Sequence, residues 1–342
     1  MVLSASSPSA LSESGNSYAF FSKQLIFAIL GIIAMLFISK IDYRFYQKFY
    51  KHAWWIALIL LALVLIAGKT VNGAKRWIYV TETLSFQPSE VVKILMIIFY
   101  AGILVKNRDE LGLYTKGFIK NMCLLAPIIG LLLLEPHFSA SIVIIGICAT
   151  MMIMAGCKFW HFLATGAVAG IPAMILLIVK EPYRLQRVIT FLDPWKDATG
   201  DGWQVIQSLY AIGSGGLFGV GLGNSTQKYL YISEPHNDFI FAVLAEELGF
   251  VGCAVVIILF LLFVWRGIVI SMKAPDMFGS LLAVGITSLI GLQAIINIAV
   301  VTSSMPVTGI ALPFFSYGGT SLIILLCATG VLLNISRHTE KI

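Results

Sequence analysis

The stretch YISEPHNDFIFAVLAEELGFVG, Tyr231 to Gly252, gathers Glu234, His236, Asp238, Glu246 and Glu247 within fourteen residues of a chain that is 58% hydrophobic and 12% charged. A carboxylate in such a place could take the proton from an attacking hydroxyl, which is the work of a general base. Asp238 stands where an apolar run begins, so it could equally cap a helix through its side chain. On a helical wheel Ala242 and Ala245 share nearly its face, which predicts open room above the carboxylate. Glu246 is rotated about 80° away and sits two turns deeper, and Glu247 falls on the far side. For those two acids, packing against polar partners is the expected role.

Two further groups could do chemistry. In KTVNGAKRWIYVTETLSFQPSEVVK, Lys69 to Lys93, Asn72-Gly73 marks a turn. Pro88 suits the first turn of a helix, with Ser89 and Glu90 beside it. Glu90 and Lys93 are three apart and share one helix face. An intrahelical ion pair with a snorkelling lysine explains them; a cavity-facing role does too, because ionisable groups in a span are costly. Arg184 and Arg187 are also three apart and could face one ligand. A guanidinium grips phosphate in a fork, although two solvated arginines satisfy the same pattern. A third segment, SSMPVTGIALPFFSYGGTS, contains Pro306, Pro313, Gly318 and Gly319, which cannot share one regular helix. Broken backbone at membrane depth is tolerated where protein or a wet cavity surrounds it. Tyr317 and the two Phe residues also fit interfacial anchors.

These residues need elements to hold them. The mean hydropathy is +0.91, and apolar runs recur at about 20–39, 53–68, 89–105, 119–134, 139–156, 160–179, 239–265, 279–300 and 318–335. A helix crosses a bilayer with about 20 residues, so the reading is an all-α polytopic membrane protein with nine transmembrane helices. Residues 1–342 form a single membrane domain, and 180–237 form a large extracytoplasmic loop within it. The strict alternation of a β-barrel is absent. Cys123, Cys148, Cys157, Cys253 and Cys327 lie in or beside apolar runs, which argues for small buried hydrophobes and against a disulfide framework or zinc site.

The long loop is expected to be functional. Val205 to Tyr210 could lie on or re-enter the membrane. Gly213, Gly215, Gly216, Gly219, Gly221 and Gly223 offer a flexible backbone of close approach. They are no nucleotide loop, since no strand precedes them and no Gly-Lys-Ser/Thr follows. Lys and Arg are concentrated in the short connections on the C-terminal side of the bilayer, which places the C-terminus in the cytoplasm and, with nine spans, the N-terminus outside. MVLSASSPSALSESGNSY has no basic start and no apolar core, so it is no signal peptide, and an outside start suggests a missing upstream helix.

The segments NGAKRW…FQPSEVVK, RVITFLDPWKD, GDGWQVIQSLYAIGSGGLFGVGLGNSTQK, HNDFIFAVLAEELG and MPVTGIALPFFSYGG together resemble the SEDS family (shape, elongation, division and sporulation) over nearly the whole chain. The DPW, GLGNSTQK and AEELG spellings look more like its FtsW/SpoVE-type branch than its RodA branch. The resemblance implies a bacterial cytoplasmic-membrane glycosyltransferase that polymerises lipid II into peptidoglycan strands. Its implied partners are a class B penicillin-binding protein and other division or sporulation membrane proteins, with no nucleic acid. It implies that Asp238 is catalytic and that Glu90, Lys93, Arg76, Arg184 and Arg187 bind substrate. A divalent cation, magnesium or manganese, would be an optional helper. The family pattern has ten spans with both termini inside. It often has Gln-Pro-Asp where this chain has Glu135-Pro136-His137, and His137 is expected to be a loop histidine at the membrane edge with no catalytic role. A flippase for lipid II or a non-catalytic division scaffold would present similar sequence features.

Overall fold

Peptide groups in lipid must bond within their own segment, so each long apolar run is driven to a helix. Among the described residues nine helices are long and apolar enough to cross a membrane: Ala19–Ile38, Tyr50–Ala67, Pro88–Lys106, Tyr114–Leu134, Phe138–Ala155, Phe159–Leu176, Ile240–Met272, Met277–Val301 and Gly319–His338. They fall on the nine runs read from the sequence. The structure, a computed structural model, describes residues 1–71, 74–79, 85–180, 182–200, 202–229, 231–232 and 235–339. The turn expected at Asn72-Gly73 and the carboxylate of Glu234 lie outside them.

The chain divides into two units, each assembled from three separate segments. The first comprises Met1–Ile26, Thr165–Leu262 and Gln293–Gly319; the second comprises Phe27–Ala164, Phe263–Leu292 and Thr320–Ile342. In the second unit, the helix Pro88–Lys106 buries Val92, Met96, Ile97, Tyr100 and Leu104 completely. Small residues let its helices approach. A methyl group on Gly330 would stand 2.6 Å from the Met35 carbonyl oxygen, and one on Gly285 would stand 2.9 Å from the Met151 sulfur. Such contacts replace the hydrophobic drive that lipid does not supply. Before this helix the chain makes a small antiparallel sheet. Lys69–Val71 pairs with Ala74–Tyr79, and Ile78 and Tyr79 face Phe86 and Ser85. The sequence reading did not foresee it.

In the first unit the long loop carries its own elements. Helices run over Pro182–Leu192 and Trp203–Gly215. Between them Pro194–Asp197 forms a short 3-10 turn, capped where Asp193 accepts from the Trp195 N–H at 3.2 Å. The helix Ile240–Met272 breaks its own geometry at Gly249, where φ is 65° and ψ is −166°. The glycine-rich segment docks at this break. Val220 N–H donates to Glu246 O at 3.0 Å and Gly221 N–H to Glu247 O at 3.1 Å. In return Phe250 N–H donates to Gly216 O at 2.8 Å and Val251 N–H to Leu217 O at 3.1 Å. A Cβ at Gly249 would overlap the Gly219 nitrogen and stand 2.7 Å from the Leu217 carbonyl. The close approach read from the glycines is therefore present.

The two inner acids have structural partners, as their helix positions suggested. Glu246 accepts from the backbone N–H and the hydroxyl of Thr226, both at 2.9 Å, and from Ser225. Glu247 pairs with Lys228 at 3.0 Å, and both side chains are buried. Ser4, on the N-terminal helix Val2–Ser14, donates to the same carboxylate. Removing one member of such a pair strands a charge and costs about 3–5 kcal/mol.

Candidate active site

Asp238 lies two residues before the helix Ile240–Met272, and the turn that carries it is held residue by residue. The His236 carbonyl accepts from Tyr317 N–H at 2.8 Å. The Asn237 carbonyl accepts from the Ser316 hydroxyl at 2.7 Å. The Asp238 carbonyl accepts from the Asn297 carboxamide at 2.7 Å. All three donors come from the end of one helix and the irregular segment after it, the Pro- and Gly-broken stretch expected to be non-helical. Phe20 stacks on His236 with ring centroids 5.2 Å apart, and Tyr317 lies 5.7 Å from the same imidazole. Gln24 donates to the Ser316 carbonyl at 3.3 Å. Tyr317 thus packs in an aromatic group, and Phe315 packs on Phe260.

Room beside the Asp238 carboxylate has a different origin from the one the helical wheel suggested. Ala242 and Ala245 are fully packed, with 0% and 2% exposure. Gly215 comes so close to the Ala245 carbonyl that a methyl group there would overlap it. Gly309 comes close to the carboxylate instead: its φ is +66° and an added Cβ would stand 3.1 Å from Asp238 Oδ2. An L side chain rarely adopts that backbone, so glycine both permits the turn and leaves the carboxylate uncrowded on that side.

Arg187 reaches the same turn, donating to the Val307 carbonyl at 2.9 Å from an exposed position. The structure therefore brings a carboxylate and a guanidinium to one short segment, residues 307–309. Arg184 belongs to the same helix, Pro182–Leu192; its side chain lies outside the described residues.

The second unit holds the other candidates. Lys93 Nζ bonds Glu90 Oε1 at 2.7 Å, and the two side chains are 4% and 13% exposed. Ser321 donates to the other Glu90 oxygen at 3.2 Å. Pro88 occupies the first turn of this helix, so Glu90 also sits where the helix dipole favours an anion. Arg76 projects from the sheet and donates to the Pro136 carbonyl. Around Pro136, Glu135 and His137 are buried, and Gln87 meets His137 at 3.4 Å. Burial pushes the Glu135 carboxyl up to about 8 although Arg76 opposes the shift. Burial pushes the His137 imidazole down to about 3, with Arg76 and then Lys93 adding to the effect. His137 lies in the short connection between the spans Tyr114–Leu134 and Phe138–Ala155, the edge position expected for it, and is buried there.

Sequence reasoning missed Asn297, Ser316 and Gly309. A signal was available for Asn297, a carboxamide inside an apolar run, since such groups in a span usually have a bonding duty.

Residues 1–341 match the FtsW/RodA/SpoVE family, described as cell cycle proteins. The chain is 44% identical over 342 residues to stage V sporulation protein E of Bacillus subtilis, covering 99% of this chain and 93% of that one. It is 44% identical over 338 residues to a probable peptidoglycan glycosyltransferase FtsW of Trichlorobacter lovleyi, covering 98% and 88%. Among solved structures it superposes on a chain described for the coordination of polymerization and crosslinking by a peptidoglycan synthase complex. There the TM-score is 0.78, with 29% identity and coverage of 98% and 94%. On the rod shape determining protein RodA of Thermus thermophilus the TM-score is 0.71, with 27% identity and coverage of 99% and 94%.

Proposed function

We infer, from the premise that this chain belongs to the FtsW/RodA/SpoVE family of cell cycle proteins, that Asp238 is the general base of its glycosyl transfer. The protein is a multi-pass membrane peptidoglycan glycosyltransferase serving division or sporulation. Lipid II is the proposed substrate, as both donor and acceptor. The acceptor sugar hydroxyl loses its proton to Asp238 as its oxygen attacks the anomeric carbon of the donor. The donor bond breaks and undecaprenyl pyrophosphate departs with its electron pair. Cations must meet that developing charge. Arg187, at the Val307–Gly309 turn beside Asp238, is the proposed contact, with Arg184 on the same helix. Lys93, held by Glu90, and Arg76 are the proposed substrate-binding groups of the second unit. Among the described residues no group of three or more His, Cys, Asp or Glu is placed to hold a metal ion.

A class B penicillin-binding protein is the proposed partner, supported by the likeness to a complex that couples polymerization to crosslinking. The positive-inside pattern supports a cytoplasmic C-terminus, which puts Asp238 at the outer face. The observation that carries the reading is the placement of Asp238: a part-buried acid on a stapled turn, with Gly309 beside its carboxylate and Arg187 bonded to the same segment.

The test uses the purified protein with its penicillin-binding partner and lipid II in detergent micelles, where no second leaflet exists. The parent should build muramidase-sensitive glycan. Asp238→Asn should lose at least about a hundredfold in rate, the usual worth of a general base, while purifying normally. Unchanged synthesis by Asp238→Asn refutes the assignment. Lipid II left intact by the parent, together with its translocation in vesicles, favours a flippase.

A further inference from the structure

We propose that Asn297 and Ser316 are positioning residues for Asp238, fixing the direction of its carboxylate by stapling its backbone to the wall the carboxylate faces. The proposal rests on the reading of Asp238 as the base.

Three consecutive carbonyls, of His236, Asn237 and Asp238, each accept one donor from residues 297–317. No regular element arranges three successive carbonyls in this way, since strands alternate them and helix carbonyls point along the axis to later N–H groups. The backbone before and after Asp238 is therefore set by these bonds and by the helix that begins at Ile240. Asn297 does more than satisfy one carbonyl. Its single carboxamide nitrogen also donates to the Ile310 carbonyl at 2.7 Å. Ile310 follows Gly309, where an added Cβ would stand 3.1 Å from Asp238 Oδ2. One amide group thus ties together the backbone of the base and the backbone of its facing wall. Ser316 repeats the device one residue earlier: its hydroxyl donates to Asn237 O and accepts from Leu312 N–H at 2.8 Å. Both side chains are buried, at 1% and 7% exposure, so water does not compete for these bonds.

The rival explanation is that the two side chains merely satisfy broken backbone inside a membrane protein. The two explanations separate kinetically. A merely structural staple weakens folding and substrate affinity along with turnover. A positioning staple lowers turnover while the bound state survives, because displacing a reacting group by about 1 Å can cost on the order of a hundredfold in rate.

The experiment measures kcat and KM for lipid II in detergent with the penicillin-binding partner, and the thermal midpoint of each purified variant. Asn297→Leu keeps the branching and the number of heavy atoms, with somewhat bulkier ends, and removes both donated bonds. Ser316→Ala removes the hydroxyl and Ser316→Thr retains it. Asp238→Asn is assayed beside them. Expected is a fall in kcat of about ten- to a hundredfold for Asn297→Leu and Ser316→Ala, with KM within about threefold, the thermal midpoint nearly unchanged, and substantial recovery in Ser316→Thr. If Asn297→Leu does not fold, the Ser316 pair decides alone. Turnover within twofold of the parent in both loss variants overturns the positioning role. So does a loss of kcat matched by an equal rise in KM and a collapse of the thermal midpoint. In either case an inactive Asp238→Asn leaves the base assignment standing. An active Asp238→Asn removes the base assignment itself, whatever Asn297 and Ser316 do.

Discussion

Glu135 and His137 flank one proline, and burial moves their titrations in opposite directions. The Glu135 carboxyl is raised to about 8, so between its ordinary value and 8 the folded protein binds a proton that the unfolded chain releases. Its contribution to stability is full at low pH and is lost as pH rises through that window. The His137 imidazole is lowered to about 3, so its contribution is present above its ordinary value and is lost as pH falls towards 3. Glutamine at 135 mimics the neutral acid without titrating. Glu135→Gln should therefore leave the thermal midpoint close to that of the parent near pH 4.5 and raise it increasingly towards pH 8. A difference that is flat with pH, measured by thermal unfolding in buffered detergent, would show that Glu135 does not titrate in this range.

At the scale of elements, the break at Gly249 shapes the helix that follows Asp238. Thirty-three helical residues would reach about 50 Å at 1.5 Å per residue, against a hydrocarbon core of about 30 Å. The break leaves residues 250–272, about 34 Å of helix, as enough to cross the bilayer. It also turns the Glu246 and Glu247 carbonyls to the glycine-rich segment. Gly249→Ala would force a positive φ on alanine and drive its methyl into the Gly219 backbone. About 2–5 kcal/mol of destabilisation is expected from strain and overpacking together. Gly130→Ala is the control, since its methyl meets nothing within 4 Å. A thermal midpoint for Gly249→Ala as high as the control's would contradict the described break. These elements were legible to different degrees. The nine spans show through composition, because lipid leaves a long apolar run no other structure. The Glu90–Lys93 face follows from helical periodicity alone. The break did not show, because one glycine in an apolar run also fits an uninterrupted helix. The Lys69–Tyr79 sheet was missed because a strand of three residues is too short to display a period. The staples on Asp238 were only half legible: Asn297 stands out as a carboxamide in an apolar run, but what it bonds does not show, because the acceptors are backbone carbonyls with no side-chain identity to read.

At the scale of the molecule, orientation follows from charge. The proposed outer placement of Asp238 requires the N-terminal helix Val2–Ser14 to lie outside as well, if the nine spans alternate across the bilayer. Ser12 is exposed on that helix. A cysteine placed there, in a chain whose native cysteines are replaced, should react with an impermeant thiol reagent on intact spheroplasts. Reaction only after permeabilisation would invert the topology.

The staple on Asp238 also sets a schedule. Asn237 and the serine that holds it are 79 residues apart in the chain. A ribosome adding about 5–20 residues per second delivers Ser316 roughly 4–16 s after Asn237. During that interval the turn of Asp238 is already made, yet the hydroxyl that will bond the Asn237 carbonyl has still to be synthesised. That turn is therefore completed only late in synthesis, after the helix Met277–Val301 has been made and the broken segment behind it arrives.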